Sequence, residues 1–222
     1  MAPGALRMNL RGFAILLPTL VLLAFAAGAE PDGIDPRLGP PFARRDRPSL
    51  GSADAPIVVI EFGNYGCSHC TQFHERVFPA LRERYIETGQ VQWFFVPGSV
   101  NATGRNHRVY ALGRCAEEQG KFWDILDFLI ANSHRAPSRL GDLVGRHPAL
   151  DQQEFSFCMR DRETEQMVLA DFDEFDLLEV KQTPTFIVRR LNPDGTRTET
   201  RFGGYQSVEY FQRVLGELRA KA

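Results

Sequence analysis

The pair Cys67 and Cys70, placed directly after a short apolar run, constrains the fold of this chain more than any other feature. Residues 57–62 are almost all apolar and rich in β-branched side chains, which is typical of a strand buried on both faces. Residues 63–66 contain two glycines and predict a turn, and apolar residues three or four apart then predict a helix from Cys67 onward. A Cys-x-x-Cys pair between a strand and a helix favours a redox site.

The order of the predicted elements defines the fold class. A second strand is predicted at 91–96, which gives a β–α–β unit with a parallel pair and a right-handed crossover. A helical block follows at about 101–180, and strands near 185–190 and 196–202 with a last helix capped by Ser207 close the chain. A βαβ unit and a ββα unit around one sheet predict an α/β thioredoxin fold with an inserted all-helical subdomain. Pro79 predicts a break in the helix that begins at Cys67.

The first 50 residues resemble a targeting segment and a spacer. Arg7 and Arg11 precede an uncharged, mostly apolar stretch at 12–28, and small residues at 27–29 offer a cleavage site, as in a secretory signal peptide. An uncleaved membrane anchor is the alternative. Residues 30–50 hold five prolines and no apolar period, which favours a linker over an interaction arm. We therefore expect a signal peptide at 1–29, a linker at 30–50 and an exported domain at 51–222, in the periplasm of a bacterial envelope.

Charge and cysteine content narrow the function further. The net charge is −2, and no basic stripe predicts contact with nucleic acid. Four cysteines in an exported protein can persist as disulfides. They allow three pairings, and local pairing of Cys67 with Cys70 leaves Cys115 to bond with Cys158. Two buried free thiols are the alternative for Cys115 and Cys158.

The Cys67–Cys70 pair allows three uses: a zinc site, a structural disulfide and a redox centre. A zinc site needs further ligands, and His69 and His74 could serve only with partners that the sequence does not reveal. A structural disulfide across two residues would stabilise the fold little. The redox use has a physical basis, because the first turn of a helix favours a thiolate at Cys67 and His69 adds a donor. Cys67 is then the attacking sulfur, and Cys70, one turn along, is the more buried resolving thiol.

Several segments together resemble the DsbA-like thiol:disulfide oxidoreductases. These are residues 51–62, the Cys67-Ser68-His69-Cys70 motif, residues 183–186 and the closing stretch 202–218. The resemblance runs from about residue 51 to 221 and implies a thioredoxin domain with an inserted helical domain, in agreement with the order of the elements.

The resemblance also assigns roles to individual residues. Pro184 matches a cis-proline that faces the redox pair and orients the backbone of Thr183 toward an extended substrate. Glu61 matches an acid that assists proton transfer to and from the buried cysteine, although a Glu at a strand end that reaches solvent is the alternative. His69 matches the second residue between the two cysteines.

Three departures from the family pattern leave the direction of exchange open. Ser68 stands where proline is common, Gln182 stands where glycine is usual, and a Thr before the cis-proline is shared with isomerases. We expect an exported oxidase that gives its disulfide to other exported proteins, works as a monomer without a cofactor, and is reoxidised by a membrane quinone-linked protein, as the resemblance implies. A reductase or isomerase on the same fold is the second hypothesis, and a non-enzymatic metal-binding carrier is the third.

Overall fold

A computed structural model describes Met1 and residues 37–38, 47–101, 103 and 105–220. The predicted signal peptide at 1–29 therefore lies outside the described residues, apart from Met1. Within the described residues, no helix is both long enough and apolar enough to cross a membrane.

The centre of the molecule is a five-stranded sheet in the order β1-β3-β2-β4-β5. Strands β2 and β3 are parallel, with Ile57 opposite Val91, and every other neighbouring pair is antiparallel. Strand β2 is buried along its whole length, which explains why its sequence is almost continuously apolar rather than alternating. The strands are β1 Ser49–Leu50, β2 Ile57–Gly63, β3 Val91–Pro97, β4 Thr185–Leu191 and β5 Arg197–Gly203.

Three helices and a π-helical turn complete the βαβ and ββα units of the sheet. They are α1 Ser68–Arg76, α2 Phe78–Leu81, the π-helical turn Arg82–Ile86 and, at the C-terminal end, α8 Val208–Ala220. Helix α1 ends before Val77, and Pro79 lies in the first turn of α2. The predicted break is present there because proline has no N–H with which to continue the helix. Side chains of α1, α2 and α8 pack together on one face of the sheet, around Phe73 and Phe211.

The chain between β3 and β4 forms a helical subdomain with its own apolar core. Its helices are α3 His107–Glu118, α4 Phe122–Asn132, α5 Pro137–Val144, α6 Gln152–Cys158 and α7 Arg162–Leu177. Asp151 caps α6, because its side chain accepts hydrogen bonds from the N–H groups of Gln153 and Glu154. A βαβ unit, a helical insertion and a ββα unit follow one another, so the predicted fold class is confirmed.

The start of the folded core differs from the boundary predicted at residue 51. Ser49 and Leu50 pair with β3 as a short edge strand, and the side chain of Leu38 is buried against the sheet. Arg47 is also buried, where its guanidinium forms a bidentate ion pair with Glu174 of α7. A buried charge requires such a partner. The described residues of the predicted linker 30–50 are therefore part of the folded body rather than a tether.

Candidate active site

The turn before α1 places the sulfur of Cys67 at the first free N–H groups of that helix. The side-chain Oδ1 of Asn64 accepts a hydrogen bond from the N–H of Gly66 at 2.8 Å, and the backbone carbonyl of Asn64 accepts one from the N–H of Cys67 at 3.1 Å. Cys67 then adopts an extended backbone conformation and is the N-cap residue of α1. Its Sγ accepts a hydrogen bond from the N–H of Cys70 at 3.4 Å, so the helix terminus stabilises negative charge on this sulfur.

The thiol of Cys67 is acidic. Its pKa is lowered from an ordinary value of 9.0 to about 5, first by the hydrogen bond from the Cys70 thiol, then by a hydrogen bond with Thr183, and further by the backbone N–H groups of Cys70 and His69. Half-burial of the Cys67 side chain opposes this effect without cancelling it. Since the thiolate is the nucleophile, Cys67 carries the reactive sulfur at neutral pH.

Cys70 has the opposite character. Its side chain is buried, and its pKa is raised well above the ordinary range by the hydrogen bond with Cys67, then by burial and by the nearby charge of Glu61. Both cysteines are free thiols in this structure. The pair therefore combines one accessible thiolate with one buried, protonated thiol, which is the arrangement needed for attack by the first and resolution by the second.

A buried polar cluster lies next to the pair, formed by Glu61 of β2, His74 of α1 and Trp93 of β3. Glu61 is fully buried, so the solvent-reaching alternative for this residue is wrong. Its Oε1 lies 2.9 Å from Nε2 of His74, and its Oε2 accepts a hydrogen bond of 3.0 Å from Nε1 of Trp93.

The sequence did not assign His74 and Trp93 to this cluster. Trp93 reads as one more apolar residue of a buried strand, and the sequence offers His74 only as a conceivable metal ligand. A usable signal existed, because His74 follows Cys70 by four residues and so lies on the same face of α1, one turn further on.

The segment before β4 covers the other side of Cys67. The peptide bond between Thr183 and Pro184 is cis, the form expected from the sequence. When it is protonated, the Cys67 thiol donates a hydrogen bond to the carbonyl oxygen of Thr183, which lies 3.3 Å from Sγ. His69 is exposed between the cysteines. Among the residues that the structure describes, no three His, Cys, Asp or Glu side chains are grouped so that they could hold a metal ion.

The remaining two cysteines lie in the helical subdomain. Cys115 of α3 and Cys158 of α6 are joined by a disulfide, with a Cα–Cα distance of 5.7 Å, and both are buried. This bond closes the subdomain on itself and leaves Cys67 and Cys70 as the free thiols among the described residues.

Comparison with known sequences agrees with this geometry. The thioredoxin family model matches residues 44–205. The disulfide bond formation protein D of Bacillus subtilis is 30% identical over 154 residues, which cover 65% of this chain and 68% of that protein. The probable disulfide bond formation protein D of Bacillus anthracis is 28% identical over 165 residues, which cover 69% and 75%.

Solved structures show the same fold. The alpha-DsbA1 protein of Wolbachia pipientis superposes with a TM-score of 0.68 at 26% identity, over 80% of this chain and 93% of that one. Oxidised BdbD of Bacillus subtilis superposes with a TM-score of 0.62 at 20% identity, over 78% and 92%.

Proposed function

This chain belongs to the thioredoxin family, as a DsbA-like thiol–disulfide oxidoreductase, and we propose that it is an oxidase for exported proteins. Its substrates are proteins that contain thiols, and the donated group is the Cys67–Cys70 disulfide. The names of its Bacillus relatives, which describe disulfide bond formation, support this direction.

The low pKa of Cys67 carries the proposal. A pKa of about 5 means that the reduced protein holds a stabilised thiolate at neutral pH. Stabilisation of the reduced form makes the disulfide a stronger oxidant, and about 30 mV of potential corresponds to about 1.4 kcal/mol for this two-electron couple. The disulfide form is therefore expected to pass its bond to substrate thiols.

The reaction proceeds in two exchanges. A substrate thiolate attacks Sγ of Cys67, the bond between Cys67 and Cys70 breaks, and Cys70 leaves as a thiolate that takes up a proton with the help of Glu61. A second substrate thiolate then attacks the substrate sulfur of the mixed disulfide and releases Cys67 as a thiolate. The substrate is oxidised to its disulfide and the protein is reduced to the dithiol. During the first exchange, the backbone of Thr183, held by Pro184, pairs with the extended substrate chain.

Repeated turnover requires an electron acceptor and an oxidising compartment. We propose that residues 1–29 direct export to the periplasm, that the protein acts there as a monomer, and that a membrane quinone-linked protein reoxidises Cys67 and Cys70. The charged and apolar pattern of residues 7–29 supports export.

The equilibrium redox potential of the Cys67–Cys70 pair against glutathione tests the direction. The Cys115–Cys158 disulfide is buried and can be left intact while mass spectrometry counts the free thiols. A potential of about −120 mV supports an oxidase, whereas a potential of about −270 mV contradicts the oxidase direction and identifies a reductase. Cys67→Ser is the control and should abolish exchange in either case.

A further inference from the structure

His74 is a buried histidine with one ring nitrogen engaged and one free. Its side chain is 2% exposed, and Nε2 contacts the carboxylate of Glu61 at 2.9 Å. Nδ1 is buried and has no hydrogen-bond partner among the residues that the structure describes. Rings of Phe73, Phe78 and Phe95 surround the imidazole. A donor or acceptor left unsatisfied in such a setting calls for an explanation, since buried polar atoms are almost always paired.

The same side chain borders a cavity between α1 and α4. The cavity has a volume of about 280 Å³ and is lined by His74, Glu75, Asp127, Ile130 and Ala131. Glu75, Asp127 and Ala131 are exposed, so this space connects His74 with the surface. His74 therefore stands between Glu61, which is fully buried, and a route to solvent.

The hydrogen bonds of Glu61 restrict where a proton can be held. Trp93 Nε1 can only donate, so Oε2 of Glu61 must act as an acceptor in that bond. A proton shared by Glu61 and His74 therefore lies between Oε1 of Glu61 and Nε2 of His74. Imidazole can accept a proton at one nitrogen and release another from the second, which would deliver it to Nδ1.

We propose that His74 is a positioning residue that holds Glu61 and relays the proton of Cys70 between Glu61 and the cavity. When Cys70 attacks a mixed disulfide at Cys67, its S–H bond breaks, a new S–S bond forms, and the partner sulfur leaves with the electron pair. The released proton passes to the Glu61–His74 pair and leaves from Nδ1. The path operates in reverse when Cys70 is the leaving group, so the inference does not depend on the oxidase direction.

The charged and titratable groups around His74 fit this role. Glu61 faces it from β2, Cys70 and Glu75 flank it on α1, and Asp127 approaches from α4 across the cavity. The neighbouring side chains from β3 and α2 are aromatic rings without a titrating group. The two exposed carboxylates at the cavity can accept a proton that arrives there.

The experiment separates the two steps by which oxidised glutathione oxidises the reduced full chain. Acid quenching and mass spectrometry follow the mixed disulfide at Cys67, and then its loss as Cys70 attacks and glutathione leaves. His74→Gln and His74→Glu have nearly equal size, but only the carboxyl side chain can carry a proton. We expect His74→Gln to slow the second step by about tenfold or more, with the first step unchanged and the second step close to wild type in His74→Glu.

Two further variants complete the test. His147→Gln is the matched control: it replaces a half-buried histidine of the helical subdomain and should alter neither step. Ala131→Phe fills the cavity from an exposed position of α4 while Glu61 and His74 themselves are left unchanged, and it should slow the second step alone. The second variant also decides the question if His74→Gln does not fold.

The outcomes are distinguishable. In one contradicting outcome, each of the two His74 variants slows the first step as much as the second. In the other, the second step of His74→Gln stays within about threefold of wild type. In either case His74 is only a packing residue and the inference is wrong. An unchanged second step in Ala131→Phe excludes the cavity as the exit. If the wild-type chain itself fails to form the Cys67–Cys70 disulfide, the thiol function fails rather than this inference.

Discussion

The sulfur of Cys67 lies 3.3 Å from the carbonyl oxygen of Thr183, although 116 residues separate the two in the chain. One side of this sulfur faces the N-terminus of α1, and the other faces the backbone just before Pro184. The helix supplies donors that stabilise the thiolate, and the opposite segment carries the backbone that we propose pairs with an extended substrate chain. Attack and substrate pairing are therefore expected within one short stretch of surface.

The reactivity of Cys67 should depend on pH with an unusually low midpoint. In the reduced protein, the rate of Cys67 alkylation by iodoacetamide should rise with pH around a midpoint near 5, because the pKa of this thiol is lowered to about 5. Cys70→Ala removes the largest cause of the lowered pKa, so its midpoint should move toward 9.0. A wild-type midpoint close to 9 would contradict the assignment of Cys67 as the stabilised thiolate.

The same lowered pKa links stability to pH. A group whose pKa falls on folding stabilises the folded state fully above its unfolded pKa, and this contribution is lost as the pH drops through the folded value. The free energy of unfolding of the reduced protein should therefore fall, relative to that of the disulfide form, as the pH is lowered from about 9 to about 5. Urea denaturation of the two forms across this range measures the difference.

The buried ion pair between Arg114 of α3 and Asp171 of α7 should matter far more than an exposed one. Both side chains are almost fully buried, and NH2 of Arg114 lies 2.6 Å from each carboxylate oxygen. Asp171→Asn removes the carboxylate charge that pairs with this buried guanidinium and should lower the free energy of unfolding by about 3–5 kcal/mol. Glu87→Gln, which removes the exposed partner of Arg82, is the control and should change it by less than about 1 kcal/mol. Equal effects in urea denaturation would argue against this role.

Gly113 allows the ring of Tyr65 to approach helix α3. A Cβ at position 113 would lie 2.2 Å from the hydroxyl of Tyr65, and that buried hydroxyl has no hydrogen-bond partner within the described part of the chain. Gly113→Ala should therefore destabilise the protein by about 1–3 kcal/mol through overpacking. Adding Tyr65→Phe removes the clashing atom and should recover most of the loss.

A matched substitution distinguishes this clash from the effect of alanine in a helix. A Cβ at Gly216, exposed in α8, would meet no atom within 4 Å, so Gly216→Ala should stabilise the protein by about 0.5–1 kcal/mol. Thermal or urea unfolding of the three variants measures these differences. A double variant as unstable as Gly113→Ala alone would show that the tyrosine hydroxyl is not the cause.

The Cys115–Cys158 disulfide should contribute to stability without taking part in exchange. It links residues 43 positions apart in the chain, and a loop of this length corresponds to about 2–4 kcal/mol of stabilisation. Replacing both cysteines with alanine should lower the free energy of unfolding by that amount in urea, with the Cys67–Cys70 pair oxidised in both proteins. The alkylation midpoint of Cys67 should stay near 5; a shift would indicate that the two pairs communicate.

The parts of the site that depend on neighbouring residues were predictable from the sequence. A strand, a turn and a helix that begins beside Cys67 follow from local apolar patterns and glycines, and this places the first cysteine at a helix terminus, where negative charge is favoured. The order of the elements also determined the thioredoxin fold with a helical insertion, because strands and helices of these lengths pack in few ways.

Other contacts join residues that lie far apart in the chain, and these could be seen only in the folded protein. His74 reads as an ordinary polar residue of α1 until β2 and β3 bring Glu61 and Trp93 against it. Arg47 likewise reads as part of a spacer until Glu174, 127 residues later, meets it in the interior. The elements and the reactive pair could be predicted from the sequence, since they rest on local periodicity and backbone chemistry. Which buried polar groups find one another depends on packing between elements, and no local pattern encodes those distances.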